Sequence, residues 1–409
     1  MTAHFEQLKK QIVDSERDMV ALETVLTSHP ALAPENGGTG ELDKAEALIA
    51  WLTAQGFTNI ERYDAPDNRA KNGIRPNIVV TIPGTSDAYR VWFMAHLDVV
   101  PVGKRELWDA DPWTVVEKDG RLIGRGVEDN QQGLVSAVFA ARAFLKTGTI
   151  PGHTVKLVFM ADEEVGSTYG AKYLLAEHGD LFRSDDVILI PDGGDRMGES
   201  IEVAEKNILW LRLHVVGRQT HGSRPDEGNN ACLAAADLTM RLHGLEQRFD
   251  RRDSLFTPDY STFEPTMRLA NVEGINIIPG EETFCMDCRV LPCYTIAAVL
   301  DAVQQECAAV EAQYGVKIDY TIPQQSESPA TSVDAPVVQL LKEALKEAHG
   351  ITAYTVGIGG GTVAADFRNH GIPAAVWSTL DEQAHQVNEY AVIRNMVNDA
   401  VTMAYMMDK

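Results

Sequence analysis

Five short apolar runs, separated by helical and polar stretches, constrain the fold of this chain more than any other feature. The runs cover residues 77–82, 90–95, 155–161, 187–191 and 374–378. Alanine- and leucine-rich composition or amphipathic spacing predicts helices over residues 5–26, 40–55, 131–145 and 169–177. Strands that alternate with helices in this way predict an α/β sheet.

The pattern changes after residue 208. A strand, a helix, two strands, a helix and a strand are predicted over residues 209–216, 229–245, 263–272, 283–290, 295–314 and 316–322. This β-α-β-β-α-β order is typical of a ferredoxin-like module, which closes its own small core. Residues 324–336, rich in Ser, Pro and Thr, are typical of a link. We therefore predict an inserted domain over 209–324, between a first part of the larger domain at 1–208 and its second part at 325–409.

Charge and composition exclude several functional classes. The 409 residues carry 59 acidic and 36 basic side chains, which gives a net charge of −23. Nucleic acid is excluded as a partner because no Lys/Arg cluster escapes neighbouring acidic residues. No apolar stretch reaches the ~18–20 residues of a bilayer helix, and the first residues lack the apolar segment of a secretory signal. The five cysteines, an odd number in a long chain, favour reduced thiols and a cytoplasmic location.

Acidic residues and histidines follow the apolar runs directly. Three runs end this way, at His96 and Asp98, at Asp162, Glu163 and Glu164, and at Asp192. Because ligands bind outside the carboxyl ends of strands in an open α/β sheet, these side chains are expected to meet there. Asp129 and His385, each in or beside a predicted turn, can join them. One such Asp alone would be a turn residue or a helix cap, but the joint pattern indicates a site.

Two histidines with several carboxylates form a nitrogen and oxygen set that suits zinc, cobalt or manganese better than calcium or magnesium. A catalytic zinc takes about three protein ligands and leaves a position for water, so five ligands with one bridging carboxylate would serve two metals. In the pair Glu163 and Glu164, one carboxylate can bind metal while the other moves the proton of the activated water. Asp98 could accept a hydrogen bond from the unligated ring nitrogen of His96.

Motifs for two other chemistries are incomplete. The glycine run at 357–361 lacks the Lys-Ser/Thr ending of a phosphate loop and the spacing of a dinucleotide motif. It favours close approach of the backbone to a substrate, which makes Gly360 and Gly361 candidate substrate-binding residues. Neither 166–170 nor 221–223 supplies the G-x-S-x-G pattern of a nucleophilic serine.

The motifs around the strand ends resemble those of a known family. They are His96-Leu97-Asp98, Gly124-Arg125-Gly126-Val127-Glu128-Asp129, Asp162-Glu163-Glu164, Asp192 and Ala384-His385-Gln386-Val387-Asn388-Glu389. They resemble the co-catalytic di-zinc amidohydrolase and peptidase family, which includes aminoacylases, acetylornithine deacetylase, succinyl-diaminopimelate desuccinylase, glutamate carboxypeptidases and several dipeptidases. The resemblance covers nearly the whole chain. It implies a mixed-sheet, zinc-peptidase-like catalytic domain with an inserted ferredoxin-like α+β domain for lid closure and dimerisation.

The resemblance also implies a role for each residue at the strand ends. His96 and Asp192 would hold one metal, and Glu164 and His385 the other. Asp129 would bridge the two metals. Asp98 would orient His96, and Glu163 would be the general base that deprotonates the water and then protonates the leaving amine.

Three residues of the inserted domain match positions of the family that touch substrate. His221, within residues 217–225, would reach into the site of the second subunit and stabilise the tetrahedral oxyanion, which requires a homodimer. Asn276 and Arg289 would bind substrate, and Arg289 would pair with a substrate carboxylate through its guanidinium fork.

Two departures from the family pattern border the expected substrate. After Asp129 the family commonly has a small hydrophobic residue and then Lys-Gly, whereas this chain has Asn130-Gln131-Gln132-Gly133. The glycine run is followed by Thr362-Val363-Ala364-Ala365-Asp366, where many relatives have Thr or Ser directly before Asp. Neither departure touches an expected ligand, so both bear on substrate specificity.

The predicted function is metal-dependent hydrolysis of an amide bond in an N-acyl amino acid or short peptide. The expected cofactors are two divalent metals, zinc first, with cobalt or manganese as alternatives. A dipeptidase or carboxypeptidase, rather than a deacylase, stays open as an alternative, as does a regulatory metal-binding protein without catalysis. The expected partners are a small-molecule substrate and a second copy of the chain.

Overall fold

The computed structural model of the chain describes residues 3–409. Ten α-helices lie within this range: α1 (Ala3–Val13), α2 (Glu16–Thr27), α3 (Leu42–Gln55), α4 (Gly133–Thr147), α5 (Ala171–Glu177), α6 (Ala231–His243), α7 (Ile296–Tyr314), α8 (Pro336–His349), α9 (Ala364–Asn369) and α10 (Ile393–Asp408). Among the residues described, no helix is both long and apolar enough to cross a membrane.

The same range contains seventeen strands. They are β1 (Ile60–Pro66), β2 (Ile74–Ile82), β3 (Ser86–His96), β4 (Val116–Lys118), β5 (Arg121–Ile123), β6 (His153–Met160), β7 (Val187–Asp195), β8 (Ser200–Glu205), β9 (Asn207–Val216), β10 (Thr220–His221), β11 (Thr262–Arg268), β12 (Ile277–Ile278), β13 (Glu281–Val290), β14 (Lys317–Ser326), β15 (Tyr354–Ile358), β16 (Ala374–Thr379) and β17 (Tyr390–Val392).

Eight strands form one mixed sheet in the order β1-β2-β6-β3-β7-β16-β8-β15. β3 runs parallel to both β6 and β7, and β16 runs parallel to β7, whereas β1, β2 and β6 pair antiparallel in succession. A strand that is buried on both faces has a continuous apolar sequence, without the alternation of apolar and polar residues seen in half-exposed strands. This explains the five apolar runs in the sequence. The predicted α/β class with a mixed sheet is confirmed.

The chain forms two compact units. The larger unit extends up to Val203 and includes Thr331–Val356 and Asp366–Lys409, and the smaller unit includes Ala204–Ala330 and Gly357–Ala365. Within the smaller unit, the sheet order β11-β13-β9-β14 is antiparallel throughout. Helices α6 and α7 share its buried core. Its roles in lid closure and dimerisation stay predictions.

The glycine run at 357–361 was expected to belong to the larger domain, like all other residues from 325 onward. In the structure it joins the smaller unit, because its backbone is hydrogen-bonded there. The N–H of Gly357 donates to the carbonyl of Leu255 at 2.7 Å, and the N–H of Lys206 donates to the carbonyl of Ile358 at 2.9 Å. The guanidinium of Arg289 donates to the carbonyl of Gly359 at 2.8 Å.

Two further differences have physical reasons. Asp192 was expected just after a strand, but β7 continues to Asp195 because Gly194 and Asp195 still pair with β16. Helix α10 is not predicted by the patterns described above. Most residues of α10 are buried, including the polar Asp399 and Thr402.

Asp186, just before β7, ties β7 to β3. Its carboxylate accepts hydrogen bonds from Nη2 of Arg90 at 2.9 Å and from Nε1 of Trp92 at 2.8 Å. We expect Asp186→Ala to lower the free energy of unfolding by about 3–5 kcal/mol, because it leaves the buried guanidinium of Arg90 unpaired. Urea unfolding measures this change. Asp185→Ala, at an exposed neighbour, should stay within about 0.5 kcal/mol, and an equal loss in both variants would contradict the assignment.

Candidate metal centre

The sheet brings the predicted residues to one edge of the larger unit. β3 ends at His96, and the turn after β6 carries Asp162–Glu164. Asp192 lies in β7, the other parallel neighbour of β3. Asp129 lies in the turn before α4, and His385 lies in the loop between β16 and β17. Five segments that are distant in sequence therefore converge.

Asp129 lies between the two histidines and presents one oxygen to each. Its Oδ1 is 3.0 Å from Nε2 of His96, and its Oδ2 is 3.2 Å from Nε2 of His385. The same Nε2 atom of each histidine also faces a second carboxylate. Nε2 of His385 is 3.0 Å from Oε2 of Glu164, and Nε2 of His96 is 3.7 Å from Oδ1 of Asp192. Asp129 therefore occupies the position that a bridging carboxylate requires.

The donor set fits a divalent metal. Two overlapping groups each have their candidate ligand atoms within 4.8 Å of one another: His96, Asp129 and Glu164, and His96, Glu163 and Asp192. Oε1 of Glu164 is buried without a hydrogen-bond partner. An unsatisfied buried carboxylate oxygen is costly, and a cation would satisfy it. Mixed imidazole and carboxylate ligands are typical of zinc and related metals.

Asp98 contacts His96 differently from the expectation. Nδ1 of His96 lies 2.9 Å from the backbone carbonyl oxygen of Asp98, whereas the Asp98 carboxylate is 3.5 Å away. Since a carbonyl can only accept, Nδ1 donates, which leaves Nε2 as the ring nitrogen that a metal would take. The Asp98 carboxylate accepts the backbone N–H groups of Glu163 and Glu164, each at 3.0 Å. Asp98 therefore also holds the turn with both glutamates.

The close packing of charges shifts the pKa values of these groups. Hydrogen bonds to Asp129 and Glu164 raise the pKa of His385 to about 10. Burial alone would raise the pKa of Asp129, but the hydrogen bonds from His385 and His96 lower it below its usual value. Burial and the neighbouring Asp192 raise the pKa of Glu163 well above its ordinary value. A carboxyl group with a raised pKa is suited to exchange protons near neutral pH.

Two buried carboxylates fix the segments that carry Asp129 and His385 to each other. Glu389 accepts the N–H groups of Gly126, Glu128 and Asp129 at 3.0–3.1 Å, and Nη1 of Arg125 at 2.6 Å. Glu128 in turn accepts the N–H groups of residues 381 and 383, just before His385. Each segment therefore contributes a carboxylate that holds the backbone of the other.

Sequence reasoning missed these supporting roles. Glu128 and Glu389 are within the quoted motifs, but the sequence analysis assigned them no role. A signal was present, because each stands one or four residues from an expected ligand. Their burial, 4% and 0% exposed, shows that they are structural parts of the centre and not surface charges.

The other predicted site residues lie in the smaller unit, in two groups. His221 is in β10 and Asn276 just precedes β12, and the two short strands pair. The imidazole of His221 is exposed, with Nδ1 2.8 Å from Oγ of Ser223. Arg289 lies next to the glycine run through its bond to Gly359, and Gly360 and Gly361 follow directly.

A mixed α/β sheet with two imidazoles and several carboxylates at one edge is an arrangement suited to a metal-dependent enzyme. Residues 92–409 match the family described as Peptidase family M20/M25/M40. The chain belongs to this family of metallohydrolases that cleave amide or peptide bonds.

Individual relatives agree with this classification. An uncharacterized metallohydrolase of Methanocaldococcus jannaschii is 37% identical over 95% of this chain and 98% of its own length. A succinyl-diaminopimelate desuccinylase of Roseobacter denitrificans is 27% identical over 75% of this chain and 79% of its own. The crystal structure of an aminopeptidase from Bacillus cereus superposes with a TM-score of 0.78 at 19% identity, covering 96% of this chain and 98% of that one. The last comparison shows that the fold is shared.

We expect Glu389→Gln to weaken metal binding by about 10- to 100-fold, a typical cost of removing a group that holds metal ligands in place. The amide would turn one acceptor into a donor facing the N–H groups of the Asp129 segment. Competition with a chromophoric chelator measures the zinc affinity. Glu382→Gln, an exposed glutamate beside His385, is the matched control and should bind zinc like the wild type. Unchanged affinity in Glu389→Gln would contradict the role of Glu389.

Proposed function

We propose that the chain hydrolyses the amide bond of an N-acyl amino acid or short peptide with two bound metals. His96 and Asp192 would hold one metal, Glu164 and His385 the other, and Asp129 both. Zinc is the metal we propose first, with cobalt and manganese as alternatives. The observation that carries this proposal is Asp129, which presents one carboxylate oxygen to each of the two imidazoles.

Two cations in this position would act as Lewis acids that polarise the amide carbonyl and lower the pKa of the attacking water. Glu163 takes the proton of that water and delivers it to the amide nitrogen as the carbon–nitrogen bond breaks. The raised pKa of Glu163, caused by burial and by Asp192, supports this role. Asp98 keeps Glu163 in place through the backbone N–H groups of the turn.

We propose that Arg289 binds a carboxylate of the substrate. Its guanidinium makes two hydrogen bonds to Asp287, at 2.7 and 3.0 Å, and one to the carbonyl of Gly359. A guanidinium has five N–H groups, so one on each terminal nitrogen is left for a substrate carboxylate. Asn276 and the backbone of Gly360 and Gly361 would contact the rest of the substrate.

We further propose a cytoplasmic homodimer in which His221 of each copy stabilises the oxyanion in the site of the other. The five free thiols support a reducing compartment. The exposed imidazole of His221 supports a role outside its own unit, since no core contact uses it.

We expect Glu163→Gln to lower kcat by ~10²- to 10⁴-fold, the usual contribution of a positioned proton-transfer group. Steady-state kinetics, with the metal content measured on the same samples, test this. Glu177→Gln, at an exposed position of α5, controls for loss of one negative charge and should keep full activity. A Glu163→Gln enzyme that keeps its metals and its full turnover would show that another group transfers the proton.

Metal removal and a substrate panel test the reaction itself. The panel contains N-acetyl, N-succinyl and N-formyl amino acids and unblocked dipeptides, followed by mass spectrometry. We expect cleavage of an N-acyl amino acid by zinc- or cobalt-loaded protein, loss of turnover after chelation, and recovery on adding metal back. Cleavage of dipeptides alone would identify a peptidase instead. Binding of a candidate ligand by fully metallated protein, without turnover of any compound, would favour a regulatory metal-binding protein.

A further inference from the structure

The side chain of Asn130 connects two neighbouring strands at the metal centre. It is 1% exposed. Its Nδ2 donates to the carbonyl oxygen of Pro191 at 2.6 Å and to Oδ1 of Asp192 at 2.8 Å. Its Oδ1 accepts the backbone N–H of His96 at 3.1 Å. One amide therefore contacts both the end of β3 and the part of β7 that carries Asp192.

These three bonds determine the orientation of the amide. Both partners of Nδ2 are acceptors, and the partner of Oδ1 is a donor. A flipped amide would place its oxygen against two acceptors and its NH2 group against a donor. Leucine would fill the volume but form none of the bonds. Aspartate at position 130 could accept the backbone N–H of His96, but its other carboxylate oxygen would face the carboxylate of Asp192.

The other proposed ligands are supported in a different way. Asp98 and Glu389 act on the backbone of the segments that carry Glu164 and Asp129. Asn130 donates to the carboxylate of Asp192 itself. The bond restricts rotation of that carboxylate, and it sets the position of Asp192 relative to the residue His96.

We propose that Asn130 is a positioning residue that holds His96 and Asp192 together as the ligand pair of one of the two metals. This inference depends on the ligand assignment of the proposed function. It predicts a selective effect, because the second position, formed by Glu164 and His385, has no hydrogen bond to Asn130 among the contacts of the described chain.

Cobalt binding to the purified protein tests the proposal without relying on turnover. Metal-free wild type, Asn130→Asp and Asn130→Leu are titrated with Co²⁺ alone, and the visible absorption of the bound ion and chelator competition are recorded. We expect wild type to bind two equivalents. In both variants, the affinity for one equivalent of cobalt should fall by about 10- to 100-fold. The affinity for the other equivalent should stay unchanged.

Two backgrounds identify the affected position. His385→Ala removes a ligand of the second metal position. In this background, Asn130→Asp should still lower the affinity for the remaining cobalt ion by the same factor. In Asp192→Ala, which removes a ligand of the first, Asn130→Asp should leave the remaining affinity unchanged. The reverse pattern would overturn the proposal.

Asn77 provides a matched control for loss of a buried amide. It is 0% exposed, donates to the carbonyls of Tyr63 and Tyr169, accepts the N–H of Ala161, and contacts no ligand side chain. We expect Asn77→Asp to lower the unfolding midpoint without a selective loss of one cobalt. If the Asn130 variants behave like Asn77→Asp, or bind both cobalt ions like wild type, the positioning role is wrong.

Two remaining outcomes are also decisive. Wild-type protein that binds fewer than two cobalt ions would refute the two-metal assignment, which is separate from the role of Asn130. If Asn130→Asp and Asn130→Leu do not fold, Asn130→Ser replaces them, since its hydroxyl can donate to only one of the two acceptors. Unchanged binding of both cobalt ions in Asn130→Ser would then contradict the proposal.

Discussion

Buried carboxylates are concentrated at one edge of the large sheet, and the surrounding structure depends on how each is satisfied. A carboxylate removed from water needs hydrogen-bond donors or a positive partner. Backbone N–H groups satisfy three of them: Asp98, Glu128 and Glu389. Side chains alone, imidazoles and one amide, face the others: Asp129, Glu164 and Asp192. Apart from Glu163, the proposed general base, the carboxylates of this group without backbone donors are the proposed metal ligands.

The turn with the two glutamates is held from two sides. Asp162 has a φ of 69°, a left-handed conformation that Asp tolerates better than most residues. Its carboxylate is 3.1 Å from the fully buried guanidinium of Arg75, which also pairs with Glu41 at 2.7 Å. Asp98 holds the following N–H groups from the other side. The direction in which Glu163 leaves the backbone is therefore determined by buried charge pairs and not by a flexible loop.

The sequence was sufficient for the parts of this site that depend on strand order. His96 and Asp192 follow from apolar runs that end in polar residues, because neighbouring parallel strands end at the same edge. Asn130 could not be found this way, since its role depends on Pro191 and on the turn before α4, which sequence spacing does not show. That the glycine run groups with the smaller unit could not be seen for a related reason, because its backbone partners are distant in sequence. Local patterns predict elements, whereas buried polar contacts become visible only once the chain is folded.

The two ends of the proposed centre differ in their exposure to water. His96 is 2% exposed, and the buried Asn130 accepts its backbone N–H. The side chain of His385 is 57% exposed and lies in a loop, with a φ of 65°. Charges interact more strongly where water is excluded, so the buried end favours a firmly held metal and the open end favours exchange and access of substrate. Asn130 acts at the buried end, where a misplaced carboxylate could not be compensated by water.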